Sequence, residues 1–127
     1  MPSLTLSILP DAFSICRLDP NERIPNWADA HSFVSITRTA DELSLVCLDK
    51  NVPTEVIANR GWRCLKVEGP LDLSLTGILT SLAVPLAEAR IGIFAISTFD
   101  TDYVLVKEQA LTEAIAVLEE AGHIVRS

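Results

Sequence analysis

Apolar and polar positions fall into two rhythms along the second half of the chain. From Trp62 to Val67 they alternate, with Trp62, Cys64 and Lys66 on one side against Arg63, Leu65 and Val67, which predicts a strand. After the punctuation Gly69-Pro70 and Asp72, Leu75, Leu79, Leu82 and Leu86 recur at i, i+4, i+7 and i+11, the spacing of one helical face, and predict a helix over about 75–89. Pro85 has no amide to donate and crowds the carbonyl of Ser81, so a bend or break is expected there. Ile91–Ser97 and Asp102–Val106 predict two further strands joined by a hairpin loop, Thr98 to Thr101. Leu111, Ala114, Ile115 and Leu118 then mark a second helix, Gly122 stands where a C-terminal cap belongs, and His123 to Val125 predict a last short strand.

This order, β-α-β-β-α-β, is the ferredoxin-like arrangement, with two helices on one face of a four-stranded antiparallel sheet. The apolar run from Ile91 to Ile96 suits a sheet whose other face is paired as well. The first half of the chain reads as a worn copy. Phe33 falls on Phe94 at an offset of 61, and Thr37 to Val46 falls on Thr98 to Val106 with one residue of slack after a shared Asp. Thr54 to Ala58 matches Thr112 to Ala116 at an offset of 58, and Gly61 matches Gly122. Where the copy's first helix should be, Phe13 to Leu18 reads as strand, as does the alternating start of the chain. The fold class predicted is therefore α+β: two tandem modules, residues 1–61 degenerate and residues 62–127 intact.

Composition narrows the function. A chain of 127 residues, 49% hydrophobic, buries a core without staples. Its net charge of −7 is spread over both halves, and Arg63 with Lys66 is the one close basic pair, so no surface that neutralises phosphates is expected and nucleic acid is excluded as a partner. Cys16, Cys47 and Cys64 are odd in number and widely spaced, which reads as buried thiols in a reducing cytoplasm rather than a disulfide framework or a metal site. The start lacks the pattern of a secretion signal, and no apolar run approaches the ~20 residues that cross a membrane.

Candidate chemistry is sparse. Asp100 and Asp102 share one side of an extended segment, yet nothing completes a paired-carboxylate mechanism or a calcium loop around them. His31 and His123 sit in no metal or nucleophile motif, and His123, just past a capping glycine, reads as a surface or dipole-satisfying residue. More telling is Leu73 to Leu79, where a helix start would present free amides beside Gly77, a residue that lets a ligand carboxylate approach the backbone, with Ser74 or Thr76 as a capping hydroxyl. With Asp102 aimed at the same place, a carboxylate-binding nest and an ammonium-binding carboxylate would match an α-amino acid.

Leu75 to Leu79, Pro85 to Ala89 and Ile91 to Glu108, with Phe33 to Thr39 and Glu42 to Cys47, resemble the ACT-domain superfamily. The similarity is to the branch holding the cytosolic arginine sensor of the mTOR pathway and small bacterial tandem-ACT proteins. It implies a ferredoxin-like amino-acid sensor whose ligand sits between neighbouring modules, with Gly77 meeting the ligand backbone, Thr98 and Phe99 lining the pocket and Asp102 holding the amino group. Thr76, Ile78 and Thr80 complete the implied site; Thr80 stands where the arginine sensor has a carboxylate, so the resemblance leaves the ligand side chain open. A homodimer, no cofactor, no metal, no membrane and a separate effector protein are implied. The leading expectation is thus a non-catalytic regulatory module, the alternative a dimeric interaction protein that has lost its ligand, and the rival an enzyme without a visible nucleophile.

Overall fold

Two strands far longer than the average five or six residues form the backbone of the architecture: β1 (Thr5–Leu18) and β4 (Ile57–Val67). The computed structural model describes residues 3–29 and 32–127, so His31 lies outside the described residues. The remaining elements are β2 (Ser35–Arg38), β3 (Leu43–Leu48), α1 (Ile78–Glu88), β5 (Ile93–Ser97), β6 (Asp102–Lys107), α2 (Leu111–Glu120) and β7 (Ile124–Arg126). The chain divides into two units, residues up to Pro10 with Arg63–Ser127, and Asp11–Trp62. β1 and β4 each contribute to both, and each carries an irregularity beside the division: Pro10, which cannot donate to a ladder, and Gly61, at φ 78.

In the unit containing the C-terminus, neighbouring strands run β7, β1, β4, β6 and β5. β5 and β6 are antiparallel, from Ile93 opposite Val106 to Ser97 opposite Asp102. The last strand departs from the wholly antiparallel sheet expected: β7 pairs in parallel with β1, Thr5 opposite Ile124. Leu82 and Leu86 of α1 and Ala114 and Leu118 of α2 pack with Leu6, Leu65, Val67, Val104 and Val106 in one core, all but Val104 with no exposed surface. Removing each such leucine from water contributes roughly 1.5–3 kcal/mol.

α1 differs from its prediction at both features singled out. It begins at Ile78, not near 75, because Gly77 takes the left-handed conformation at φ 78 and Leu75 is left half exposed. Upstream, the Asp72 carboxylate accepts hydrogen bonds from the Ser74 amide and hydroxyl, both at 2.8 Å, a local turn that competes with helix. The helix also runs through Pro85 without a break. The reason lies elsewhere in the sequence. The Ser81 carbonyl, which a residue-85 amide would have satisfied, is 2.9 Å from Nε2 of His123. A carbonyl only accepts, so Nε2 carries the proton, and Nδ1 accepts from the Leu4 amide at 3.1 Å. His123 is accordingly buried, 5% exposed, and not the surface residue expected.

The Asp11–Trp62 unit pairs β2 with β3 and β3 with β1, all antiparallel, and holds its own core of Cys16, Leu43, Leu45, Cys47, Ala28 and Val52. No α-helix occurs among its described residues. Thr54 to Val56 form a turn and Ile57 opens β4, so the proposed match to the helical Thr112 to Ala116 fails, as does that of Gly61, inside a strand, to the helix-ending Gly122. The hairpins do correspond, at an offset of 59 rather than 61. Thr39 donates its amide to the Glu42 carbonyl at 2.9 Å, and Thr98 to the Thr101 carbonyl at 2.8 Å, each across a four-residue loop closed by a strand pair, Arg38 with Leu43 and Ser97 with Asp102. The same offset carries the 3-10 turn Asp49–Asn51 onto Glu108–Ala110. Phe33 therefore does not correspond to Phe94.

Candidate functional site

Two short segments of the C-terminal unit build the site. The first, residues 68–77 between β4 and α1, is tied to the hairpin near its start. Thr101 donates its hydroxyl to the Val67 carbonyl at 2.6 Å, and the Leu71 amide donates to the Asp100 carbonyl at 2.6 Å. Gly69 suits that approach, because a side-chain carbon there would stand 3.1 Å from the Asp100 oxygen and 3.0 Å from the Leu71 nitrogen, tight enough to push the backbone apart by a few tenths of an ångström. The second segment is the hairpin loop Thr98 to Thr101, held by the Thr98 hydroxyl, which donates to the Thr101 carbonyl at 3.0 Å and accepts from the Thr101 amide at 3.3 Å.

Between these segments and the start of α1 opens a cavity of about 300 Å³. Gly77, Ile78, Thr80, Thr98, Phe99 and Asp102 all line it; Thr76 is exposed and does not. The Gly77 carbonyl accepts the first helical bond from Ser81 at 2.9 Å, and no side chain caps the helix, so the amides of its first turn have no side-chain partner. The capping role expected of Ser74 or Thr76 is therefore absent: Ser74 is engaged by Asp72. Across the cavity, no hydrogen bond or ion pair among the described residues holds the Asp102 carboxylate.

The lining also includes residues the sequence reading had not assigned, chiefly Asp72 and Asp100, with Leu71, Leu73 and Leu75. With Asp102 they give three carboxylates and no lysine, arginine or histidine in the lining. The sequence signal for Asp72 is the Gly-Pro-x-Asp punctuation before the helix, which reads as an ordinary turn, and that for Asp100 is its place on the same side of an extended segment as Asp102. Hydrogen bonding from Ser74 holds the Asp72 carboxyl below the usual carboxylate range. Among the described residues no set of three His, Cys, Asp or Glu side chains is placed to hold a metal ion. Phe99, Leu73 and Leu75 are large apolar side chains 79%, 68% and 53% exposed at the cavity rim.

A family model described as ACT domain matches residues 57–120, and a second, for an N-terminal domain, matches residues 11–55. The human protein named cytosolic arginine sensor for mTORC1 subunit 1 is 41% identical over 105 residues, and its bovine counterpart is 30% identical over 105. The alignment takes in 74% of this chain and 32% of each relative, so the chain spans about a third of the length of those proteins. Among solved structures, a protein from Agrobacterium tumefaciens superimposes with TM-score 0.93 at 46% identity over 98% of this chain and 93% of that one. The regulatory subunit of aspartate kinase from Thermus flavus shares the fold, at TM-score 0.66 and 10% identity over 94% of this chain and 99% of that one. Among the described residues no helix is long and apolar enough to cross a membrane. With the family model covering half of its length, the chain belongs to the ACT domain family.

Proposed function

We propose that this protein is a non-catalytic regulatory module that binds a free amino acid in the cavity at the start of α1. One observation carries the reading: uncapped amides beside Gly77 and the unpaired carboxylate of Asp102 face one space of about 300 Å³. The ligand carboxylate meets the first-turn amides, where the helix dipole favours negative charge, and its ammonium meets Asp102. Ile78, Thr80, Thr98 and Phe99 shape the remaining walls. The three carboxylates of the lining favour a ligand of net positive charge over an acidic one. The name of the human relative, an arginine sensor, agrees with that preference.

The finer reading is that residues 1–61 and 62–127 are tandem βαββαβ modules, the first degenerate, and that the ligand is held at an interface between modules, completed in a homodimer. The matching hairpins at an offset of 59 support a duplication. The exposed rim of Leu73, Leu75 and Phe99 supports a second wall supplied by another copy. A separate effector in the cytoplasm would read the occupied state. The same apolar rim also fits the second reading, an interaction protein that no longer binds a ligand.

Thermal-shift screening of the twenty amino acids decides between the two. A ligand present at 100 times its Kd adds about 2.7 kcal/mol, a readily measured rise in Tm. Asp102→Ala is expected to weaken the best ligand by roughly 10- to 100-fold in calorimetry, the loss of a charge-assisted hydrogen bond. Equal affinity in the variant would remove the site assignment, and no shift with any amino acid would favour the interaction reading.

A further inference from the structure

The Asp11–Trp62 unit contains a pair of thiols that the amino-acid reading does not use. In the β1–β3 ladder Ser14 stands opposite Cys47 and Cys16 opposite Leu45. Directly opposed residues share a face and alternate residues return to it, so Cys16 and Cys47 occupy one face at diagonal positions. Diagonal side chains in a flat ladder are about 7–8 Å apart, and the right-handed twist of paired strands shortens one of the two diagonals. Both side chains belong to the same core, 1% and 0% exposed. Hydrogen bonding with Cys47, and then the Arg60 guanidinium, hold the Cys16 thiol below its ordinary range, whereas the same pairing with Cys16, together with burial, raises Cys47. Arg60 is held by the carbonyls of Val52 and Pro53, at 3.2 and 2.9 Å, and faces Asp49, whose carboxylate also takes the Ser14 hydroxyl. The third thiol, Cys64, is buried in β4 with no such partner, and burial pushes it up to about 12.

We propose that Cys16 and Cys47 form a reversible dithiol–disulfide site, with a low-molecular-weight thiol disulfide as the oxidant. The Cys16 thiolate attacks one sulfur of that disulfide, breaking its S–S bond and releasing one small thiolate. Cys47 then gives up its proton to that thiolate and attacks the Cys16 sulfur of the mixed disulfide, expelling the second. The second small thiolate takes up from solvent the proton that Cys16 released on ionising, so two protein thiols are oxidised, one small disulfide is reduced to two thiols, and the new bond joins β1 to β3 around residues 17–46. Both thiols are buried, so exchange proceeds through opening of the strand pair, and the equilibrium position is set by how well the native ladder accommodates the bond.

The test removes access as a variable. The full chain, reduced and unfolded, is refolded to equilibrium in mixtures of reduced and oxidised glutathione, quenched in acid, alkylated and mapped by peptide mass, with a melting curve taken on each mixture. In the most oxidising mixture, alkylation of Cys16 and Cys47 is expected to fall together by about tenfold, in wild type and in Cys64→Ala alike, with one linked peptide, a cooperative melt and Cys64 still alkylated. Cys16→Ala and Cys47→Ala should each leave the remaining partner alkylated. Three alkylated thiols throughout, a link through Cys64, a stable glutathione adduct on Cys16, or a linked chain without a cooperative melt would each overturn the proposal.

Discussion

The hairpins Thr39 to Glu42 and Thr98 to Thr101 have the same loop length, the same threonine turn and an aspartate at the third position, yet only the second borders the cavity at the start of α1; of the first, Glu42 alone lines a different opening, of about 330 Å³. The difference is what each aspartate carbonyl holds. Asp41 accepts from the flexible Arg17 guanidinium at 3.0 Å, whereas Asp100 accepts from the Leu71 main chain at 2.6 Å. A main-chain tether fixes the course of residues 68–77 and so places Gly77 and the start of α1 opposite Asp102. A side-chain tether positions nothing beyond itself. In this fold a binding site therefore depends less on the turn sequence than on whether the turn is bonded to the backbone of a helix-leading segment.

The strongest way to break that contrast is Leu71→Pro, which removes the donor. It is expected to destabilise the protein by about 3 kcal/mol in denaturant unfolding and to abolish amino-acid binding, because the Asp100 carbonyl loses its main-chain partner and the loop its course. Arg17→Ala, the counterpart change, should cost no more than about 0.5 kcal/mol, since its guanidinium is half exposed. Equal costs would show that the two tethers are equivalent. Next in size is the helical half of the contrast. His123→Ala leaves the Ser81 carbonyl and the Leu4 amide unsatisfied and should cost about 1–3 kcal/mol, whereas Pro85→Ala restores an amide to Ser81 and should recover about 1 kcal/mol in the double variant. Additivity of the two changes would mean that His123 does not replace the missing amide.

Smaller still, Thr39→Val and Thr98→Val should each cost about 1 kcal/mol, since both hydroxyls bond their own loops, but only Thr98→Val should weaken the ligand. A ligand effect of equal size from Thr39→Val would dissolve the distinction between the loops. The smallest effect is that of pH on the Asp72 turn. Its carboxyl is held below the ordinary value of about 3.9, so the Ser74 bonds are fully present above that pH and are lost as pH falls through the lowered value. The Ser74 amide shift in an NMR titration should therefore have its midpoint below that of an unbonded aspartate, and a midpoint at or above it would refute the turn.

Much of the C-terminal unit was legible, because periodicity reports burial directly: Leu82, Leu86, Leu118, Val104 and Val106 all reached the core that their spacing predicted. Leu75 fitted the same rhythm and failed, since an Asx turn at Asp72 and a left-handed Gly77 are local conformations that hydrophobic spacing does not register. The site was half legible for the same reason. Gly77 and Asp102 carry chemistry in their residue types, but Asp72 enters the lining only because a loop is bonded to a hairpin distant in sequence. The hairpin correspondence read from sequence was two residues out of register, because Thr37 and Thr39 both offer a threonine to match Thr98 and only the hydrogen bond tells them apart. The parallel pairing of β7 left no trace in a three-residue strand.

A helix with a proline in its third turn lacks one rung of its own ladder, and here the rung is supplied from 42 positions further along the chain. α1 cannot complete its backbone bonding as an autonomous segment. Its closure waits for the C-terminal end of the chain to dock, so the element that starts at Gly77 and the strand that ends the chain should gain and lose protection from hydrogen exchange together. The cavity at the start of α1 thereby inherits the cooperativity of the whole C-terminal unit rather than the looser stability of a surface helix.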